Sequence, residues 1–171
     1  MGSRVFIFDL DETVIDSRHR TPNNPDGSLN LKAYIESHTA ENVAEDTLLP
    51  LARTMRALIA NGEYVVILTA RDMKQCDYEY LANNQLLPSV ICSRDRASSE
   101  HYKLSDGSYK QRWLELLCLT GHDNLIMFDD ATPVKSAIRA LGHPVICGQK
   151  INRRLQQHDK NSGNKDNPSG Y

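Results

Sequence analysis

Five short apolar runs, rich in β-branched and aromatic residues, punctuate the chain: residues 4 to 8, Tyr64 to Leu68, Ser89 to Cys92, Leu125 to Phe128 and Pro144 to Cys147. Each has the length of a strand rather than of a buried helix. Helical patterns fill the intervals. One is expected from near Thr47 to Ala60, with Leu51, Met55, Leu58 and Ile59 on one face, Pro50 in its first turn and Asn61-Gly62 as its stop. Another follows Asp72, a candidate cap, through about Asn84. A third runs from Lys110 to Leu119 and closes at Gly121, and a fourth from Ala131 to Leu141 ahead of Gly142. Strands alternating with helices build right-handed βαβ units, so the expected architecture is α/β: a parallel sheet of about five strands covered on both faces.

Three of these strands are expected to end in polar side chains: Asp9 and Asp11 after the first, Thr69 after the second, Asp129 and Asp130 after the fourth. Ligands of an open parallel sheet bind outside the carboxyl ends of its strands. Residues far apart in the chain should therefore share one rim. Four carboxylates gathered there repel one another unless a cation joins them, and carboxylate with phosphate oxygens and water is the ligand set Mg²⁺ prefers. Alone, Asp129-Asp130 reads equally as a helix cap; the Asp9-x-Asp11-x-Thr13 cluster on a neighbouring strand favours the shared site. Thr69, with a hydroxyl and an N–H near a helix start, and Lys110, opening a helix, are the candidates to hold a phosphoryl group. Each taken singly is also compatible with a plain strand end and a solvated lysine.

The remaining features narrow the class. The chain has 171 residues, a single-domain length, with 40% hydrophobic and 25% charged residues and a formal net charge of −2. That balance argues against nucleic-acid binding by the whole surface, though not against a local basic patch. No apolar run nears the roughly 20 residues that span a bilayer. Val5 to Phe8 is too short for a signal peptide, and Phe6 stands where a myristoylation motif wants Ser or Thr, so a cytoplasmic protein without membrane contact is expected. The four cysteines are widely spaced and lack a CxxC pair, which reads as reduced thiols. Ser17 to Asn30 is a long turn-rich loop, and Leu31 to Ser37 a short helix; His19-Arg20 lies there as a substrate contact or a mobile surface pair. Residues 93 to 109 read as irregular, and Trp113, at helical spacing with Leu116 and Leu117, as core. From about Gln149 the apolar periodicity is lost, and residues 149–171 are expected to be a polar tail, disordered from Ser162.

Phe8 to Thr13 (FDLDET), Leu68 to Arg71 (LTAR), Lys110 within YKQRWL and Phe128 to Asp130 (FDD) resemble, in order, the four motifs of the haloacid dehalogenase (HAD) superfamily of phosphatases. The resemblance spans residues 4 to 148. It implies a Rossmann-like three-layer α/β/α domain over residues 1–148, with a small cap inserted at about 15–46. It also implies a phosphomonoesterase with Mg²⁺ as cofactor and a phospho-aspartyl intermediate. Carried over, Asp9 is the nucleophile and Asp11 the general acid and base; Thr69 and Lys110 hold the phosphoryl oxygens; Asp9, Asp11 (through its carbonyl), Asp129 and Asp130 surround the metal; and Thr13 bonds locally to hold the loop. Glu12 stands where many members have Gly; an acid there is usual in members that act on protein tails.

A small cap leaves an open site. Thr69-Ala70-Arg71 and the loop Ser93-Arg94-Asp95-Arg96 resemble the 3′-phosphatase domain of phage polynucleotide kinase–phosphatases, which makes Arg71, Arg94 and Arg96 candidate phosphate contacts; a solvated loop is the other reading of Arg94 and Arg96. No kinase P-loop is present. The leading expectation is a phosphorylated nucleotide or nucleic-acid end, in particular a 3′-phosphate. The alternatives are a 5′(3′)-deoxyribonucleotidase or broad small-molecule phosphatase and, more remotely, a protein phosphatase or a non-catalytic binding protein. A receiver domain clusters similar residues but places its lysine last, whereas Lys110 precedes Asp129.

Overall fold

The computed structural model describes residues 4–95, 98–122 and 124–163. Its centre is a parallel sheet of five strands: β1 (Val5–Phe8), β4 (Tyr64–Asp72), β5 (Val90–Arg94), β6 (Leu125–Asp129) and β7 (Val145–Cys147), in the order β5-β4-β1-β6-β7. Two short strands, β2 (Ile15–Asp16) and β3 (Thr47–Leu48), pair antiparallel beside it. The expected α/β architecture with a parallel five-stranded sheet is the one observed.

Alternation along each strand divides the core into two layers. Val5 and Ile7 of β1, with Val66 and Leu68 of β4 and Met127 of β6, face α6 (Asp106–Leu119) and α7 (Thr132–Ala140), whose Leu114, Leu117, Val134 and Ile138 complete that cluster. Phe8, Val65, Ile67 and Phe128 face the other way, onto Leu51 and Met55 of α3 (Leu51–Ala60) and Leu81 of α4 (Gln75–Asn83). At about 25 cal/mol for each Å² of apolar surface removed from water, two such layers dominate the stability of the fold. Trp113 packs, partly buried, against the first layer. Gly107 permits a close approach between α6 and α7: a Cβ there would lie 3.2 Å from Cβ of Ala137.

Between β1 and α3 the chain forms β2, a 3₁₀ turn at Arg18–Arg20, α1 (Leu31–Ser37), α2 (Ala40–Ala44) and β3. Thr39 caps α2 by accepting from the N–H of Asn42, as Asn30 caps α1 through Ala33.

Several expected boundaries move. The helix expected from Thr47 begins at Leu51, because Thr47 and Leu48 pair with Asp16 and Ile15 instead. β4 runs on through Thr69, Ala70 and Arg71 to Asp72, with a register shift between Leu68 and Asp72. Asp72 does not cap α4: Lys74 precedes the helix, and the Asp77 carboxylate accepts from its N–H at 2.7 Å. The stretch expected to be irregular holds α5 (Ser99–Lys103), and α6 begins four residues ahead of Lys110, with Ser105 as its cap. The polar tail also needs correction. Gly148–Gly163 is a helix, α8, anchored by Asn152, whose side-chain carbonyl accepts from the N–H of Leu51 at 2.7 Å and whose amide donates to the carbonyl of Thr13 at 3.0 Å. Residues 164–171, the rest of the expected disordered segment, lie outside the described residues, as does Arg96. No described helix is long and apolar enough to cross a membrane.

Candidate active site

The register of the sheet brings the acids together. Phe8 and Phe128 are partners across β1 and β6, their rings stacked at 4.7 Å. Asp9 and Asp129, one residue further, thus leave the same rim side by side, and the N–H of Asp9 donates to the carbonyl of Phe128. The carboxylates of Asp9, Asp129 and Asp130 offer oxygens all within 4.8 Å of one another. Lys110 reaches the pair from α6, its Nζ lying 2.8 Å from Oδ1 of Asp9 and 2.7 Å from Oδ2 of Asp129. Asp9, Lys110 and Asp129 are buried. Burial raises the Asp9 carboxyl above its usual range and the neighbouring Asp129 adds to this, while Lys110 works the other way. Burial and Asp129 raise Asp130 also. The other oxygen of Asp129 accepts from the N–H of Ala131 at 2.9 Å, so this residue both faces the site and braces the turn that leads into α7.

Three carboxylates, with Lys110 on Asp9 and Asp129 and Lys135 donating to the Asp130 carbonyl, form a hard-oxygen set that keeps excess negative charge. This suits a divalent cation such as Mg²⁺. Asp11 does not join them through its side chain. Its Oδ1 accepts from the Ser17 hydroxyl at 2.6 Å, and both its oxygens are engaged by Arg71, Nε at 3.2 Å from Oδ2 and an Nη on Oδ1. Burial by itself would raise Asp11, but the Arg71 charge and hydrogen bonds outweigh it and hold the carboxyl down at about 2.

Arg71 is the hub of a second constellation. Its Nη1 donates to Asp77 at 2.7 Å and lies 3.8 Å from Asp46; Asp77 pairs with His38 at 2.8 Å, and Asp46 takes two bonds from Arg20 at 2.8 and 2.7 Å. Arg20, His38, Asp46, Arg71 and Asp77 are all buried. This alternating chain of charge ties the segment between β1 and α3 to β4 and α4. Sequence reasoning missed Asp46, Asp77, His38 and Ser17, and placed Arg20 on a surface loop. No motif marks these residues: Asp46 and His38 have partners 26 and 39 positions away, and the six-residue spacings of Ser17 from Asp11 and Asp77 from Arg71 match no pattern of a single element.

Other expected contacts fall differently. Thr69 lies within β4, not at a helix start, and its hydroxyl accepts from the N–H of Arg71 at 3.1 Å. Arg94 spends its guanidinium on the carbonyls of His101 and Leu104 and on Asp106, and stacks over Tyr109, so it braces the loop ahead of α6 instead of offering a free fork to phosphate. The Thr13 hydroxyl is buried without a hydrogen-bond partner among the described residues; its backbone does the local bonding. Glu12 adopts a left-handed conformation, φ 56°, which is the reason a glycine suits that position. A cavity of about 440 Å³ opens beside Asp11 and Arg71, bounded on its far side by the segment from Ser17 to Tyr34.

A doubly wound sheet with Asp9 and Asp11 following β1, Asp129 and Asp130 at the end of β6 and Lys110 set against Asp9 and Asp129 defines a phosphatase of the haloacid dehalogenase class. The solved structures agree on the fold. A haloacid dehalogenase-like hydrolase from Streptococcus pneumoniae superposes with a TM-score of 0.61 at 14% identity, over 85% of this chain and 84% of that one. A chain of the Pnkp1/Rnl/Hen1 RNA repair complex does so with a TM-score of 0.61 at 21% identity, over 85% of this chain and 42% of the other. The protein belongs to the bacteriophage T5 5′-deoxynucleotidase family, whose model matches residues 2–165. The 5′-deoxynucleotidase of Escherichia phage T5 is 33% identical over 168 residues, covering 88% of this chain and 69% of that protein.

Proposed function

We propose that the chain is a Mg²⁺-dependent phosphomonoesterase that acts through a phospho-aspartyl intermediate on deoxynucleoside 5′-monophosphates. The observation that carries this reading is the convergence of Asp9, Asp129, Asp130 and Lys110 on one buried rim, in a chain of the 5′-deoxynucleotidase family. An Asp9 oxygen attacks phosphorus, and the bond from phosphorus to the nucleoside oxygen breaks. Asp11 gives the leaving oxygen its proton, then takes one from the water that attacks the phosphorylated Asp9, which returns as carboxylate when phosphate departs. The ion pair with Arg71 orients Asp11 and favours the base half of this role. The acid half requires the phosphoryl charge to compete for Arg71. Lys110 neutralises Asp9 and Asp129 and is placed to offset charge on the phosphoryl oxygens, with the Thr69 hydroxyl a further contact. When bound by Asp9, Asp129 and Asp130, with the Asp11 carbonyl as a further donor, Mg²⁺ supplies electrostatic stabilisation of the phosphoryl group.

The alternative substrate, a 3′-phosphate on a nucleic-acid end, leans on the three arginines. With Arg94 committed to the loop and Arg71 to Asp11 and Asp77, it has less support. The test is phosphate release with Mg²⁺ from the four deoxynucleoside 5′-monophosphates and from 3′-phosphorylated oligonucleotides, with Asp9→Asn as control. Release from the monophosphates that Asp9→Asn abolishes is expected. No release from them, or faster release from the oligonucleotides, would sink the proposal.

A further inference from the structure

The cavity beside Asp11 has a construction that the phosphoryl chemistry does not require. Asp11 and Arg71 form its inner end, and Thr21, Asn23, Leu29 and Tyr34 stand around the rest. At about 440 Å³ it falls within the roughly 300–1,000 Å³ of small-molecule sites. Such sites combine apolar walls with a few convergent polar groups, and this one sets a leucine, a phenol and an exposed amide beside the charged Glu12 and Arg18. The Asn23 amide and the Tyr34 hydroxyl take no hydrogen bond from any described residue, whereas the Thr21 hydroxyl is spent on the carbonyl of Ser17 at 2.7 Å.

The outer wall is also built, not loose. Asn23 and Leu29 pair across an isolated antiparallel bridge. The turn between them is closed by Asn24 N–H to Ser28 carbonyl at 2.8 Å, Gly27 N–H to Asn24 carbonyl at 2.9 Å, and the Asp26 carboxylate accepting from Ser28. Gly27 takes φ 83° there, which a side chain would resist. Asn30 N–H to Pro22 carbonyl at 2.9 Å ties the base of the turn.

We infer that this cavity is the nucleoside subsite: the base of a single mononucleotide lies between Leu29 and Tyr34, and Asn23 hydrogen-bonds its edge. A planar heterocycle with donors and acceptors on its rim matches an aromatic-aliphatic slot with one amide free to offer both. Because an amide complements the edge of every base, the subsite accepts several bases. The inference rests on the nucleotidase reading above and deepens it.

The test separates the two. Binding of unphosphorylated deoxyadenosine and thymidine to the wild-type chain is measured by calorimetry, which needs neither metal nor turnover. Asn23→Ala and Leu29→Ala lie on the exposed turn, and each is expected to weaken nucleoside binding by about three- to tenfold, the worth of one hydrogen bond or one apolar contact. KM for deoxynucleoside monophosphates should rise in parallel, with kcat/KM for glycerol phosphate, which has no base, unchanged. Absence of saturable nucleoside binding, equal binding in wild type and variants, or an equal loss on glycerol phosphate would overturn the subsite. Nucleoside binding that the variants weaken, with no phosphate released from any nucleotide, would uphold the subsite and overturn the phosphatase reading instead.

Discussion

Asp77 shows how much one buried carboxylate carries. It takes a hydrogen bond from Arg71, pairs with His38 and closes the first turn of α4 through Lys74. Burial by itself would raise its pKa, but the His38 hydrogen bond and the Arg71 charge hold it below its usual 3.8. A carboxyl depressed in the folded state adds stability that is complete above its unfolded pKa and disappears as pH falls through the folded one. The wild-type protein should therefore lose stability on acidification below about pH 4. Asp77→Asn should flatten that part of the curve and cost roughly 3–5 kcal/mol at neutral pH, because Arg71 then keeps a buried charge with one partner fewer. Urea unfolding of both proteins at pH 7, 4 and 3 decides the matter; parallel curves would refute it. Arg71→Met tests the same hub from the other side. It frees Asp11 and leaves buried Asp77 with His38 and the Lys74 N–H alone, so both kcat and stability should fall, whereas Arg94→Met should cost stability while sparing KM for nucleotides.

At the scale of elements, the loop after β1 is held by α8, and its weak points can be named. Glu12 pays for a left-handed backbone that only glycine takes freely, so Glu12→Gly should stabilise the fold by about 1 kcal/mol, read as a rise in the urea midpoint. Gly148 is the opposite case. A Cβ there would lie 2.8 Å from Cγ2 of Thr13, so Gly148→Ala should cost about 1–3 kcal/mol and lower kcat by displacing the Asp9–Thr13 turn. An unchanged kcat with lowered stability would mean that the loop yields without moving Asp9. This coupling also explains what the sequence made legible. β1 and β6 announce themselves as apolar runs broken by acids, and two of the four motifs follow from them. α8 does not, because a helix resting on one asparagine and one isoleucine shows little apolar periodicity. β4 outruns its apolar run for the same reason: Thr69, Arg71 and Asp72 are polar, yet Arg71 is buried by ion pairs rather than by hydrophobicity. Local pattern reveals what burial of apolar surface dictates. Pairings such as Arg71 with Asp11, or Arg20 with Asp46, are fixed only when the chain has closed.

At the scale of the whole molecule, like charges from two strand ends are held together at the rim of the sheet. Asp9, Asp129 and Asp130 meet at the rim with Lys110 on Asp9 and Asp129, and burial together with the neighbouring Asp129 raises the carboxyls of Asp9 and Asp130. The sheet holds them there because its strands are fixed on both faces by packed helices. The repulsion cannot relax without loss of the core. A divalent cation relieves it in the folded state only, so it should stabilise by mass action, by about 2.7 kcal/mol at a hundredfold excess over Kd. Mg²⁺ should therefore raise the unfolding temperature, and chelation by EDTA should reverse the rise and abolish phosphate release. Asp130→Asn removes one oxygen donor while leaving the Lys110 contacts with Asp9 and Asp129 intact, so it should fold, bind the ion more weakly and show a smaller thermal shift at each Mg²⁺ concentration. A thermal shift in Asp130→Asn equal to that of the wild type would place the cation elsewhere, and a wild-type protein indifferent to Mg²⁺ in both stability and turnover would remove it from the site altogether.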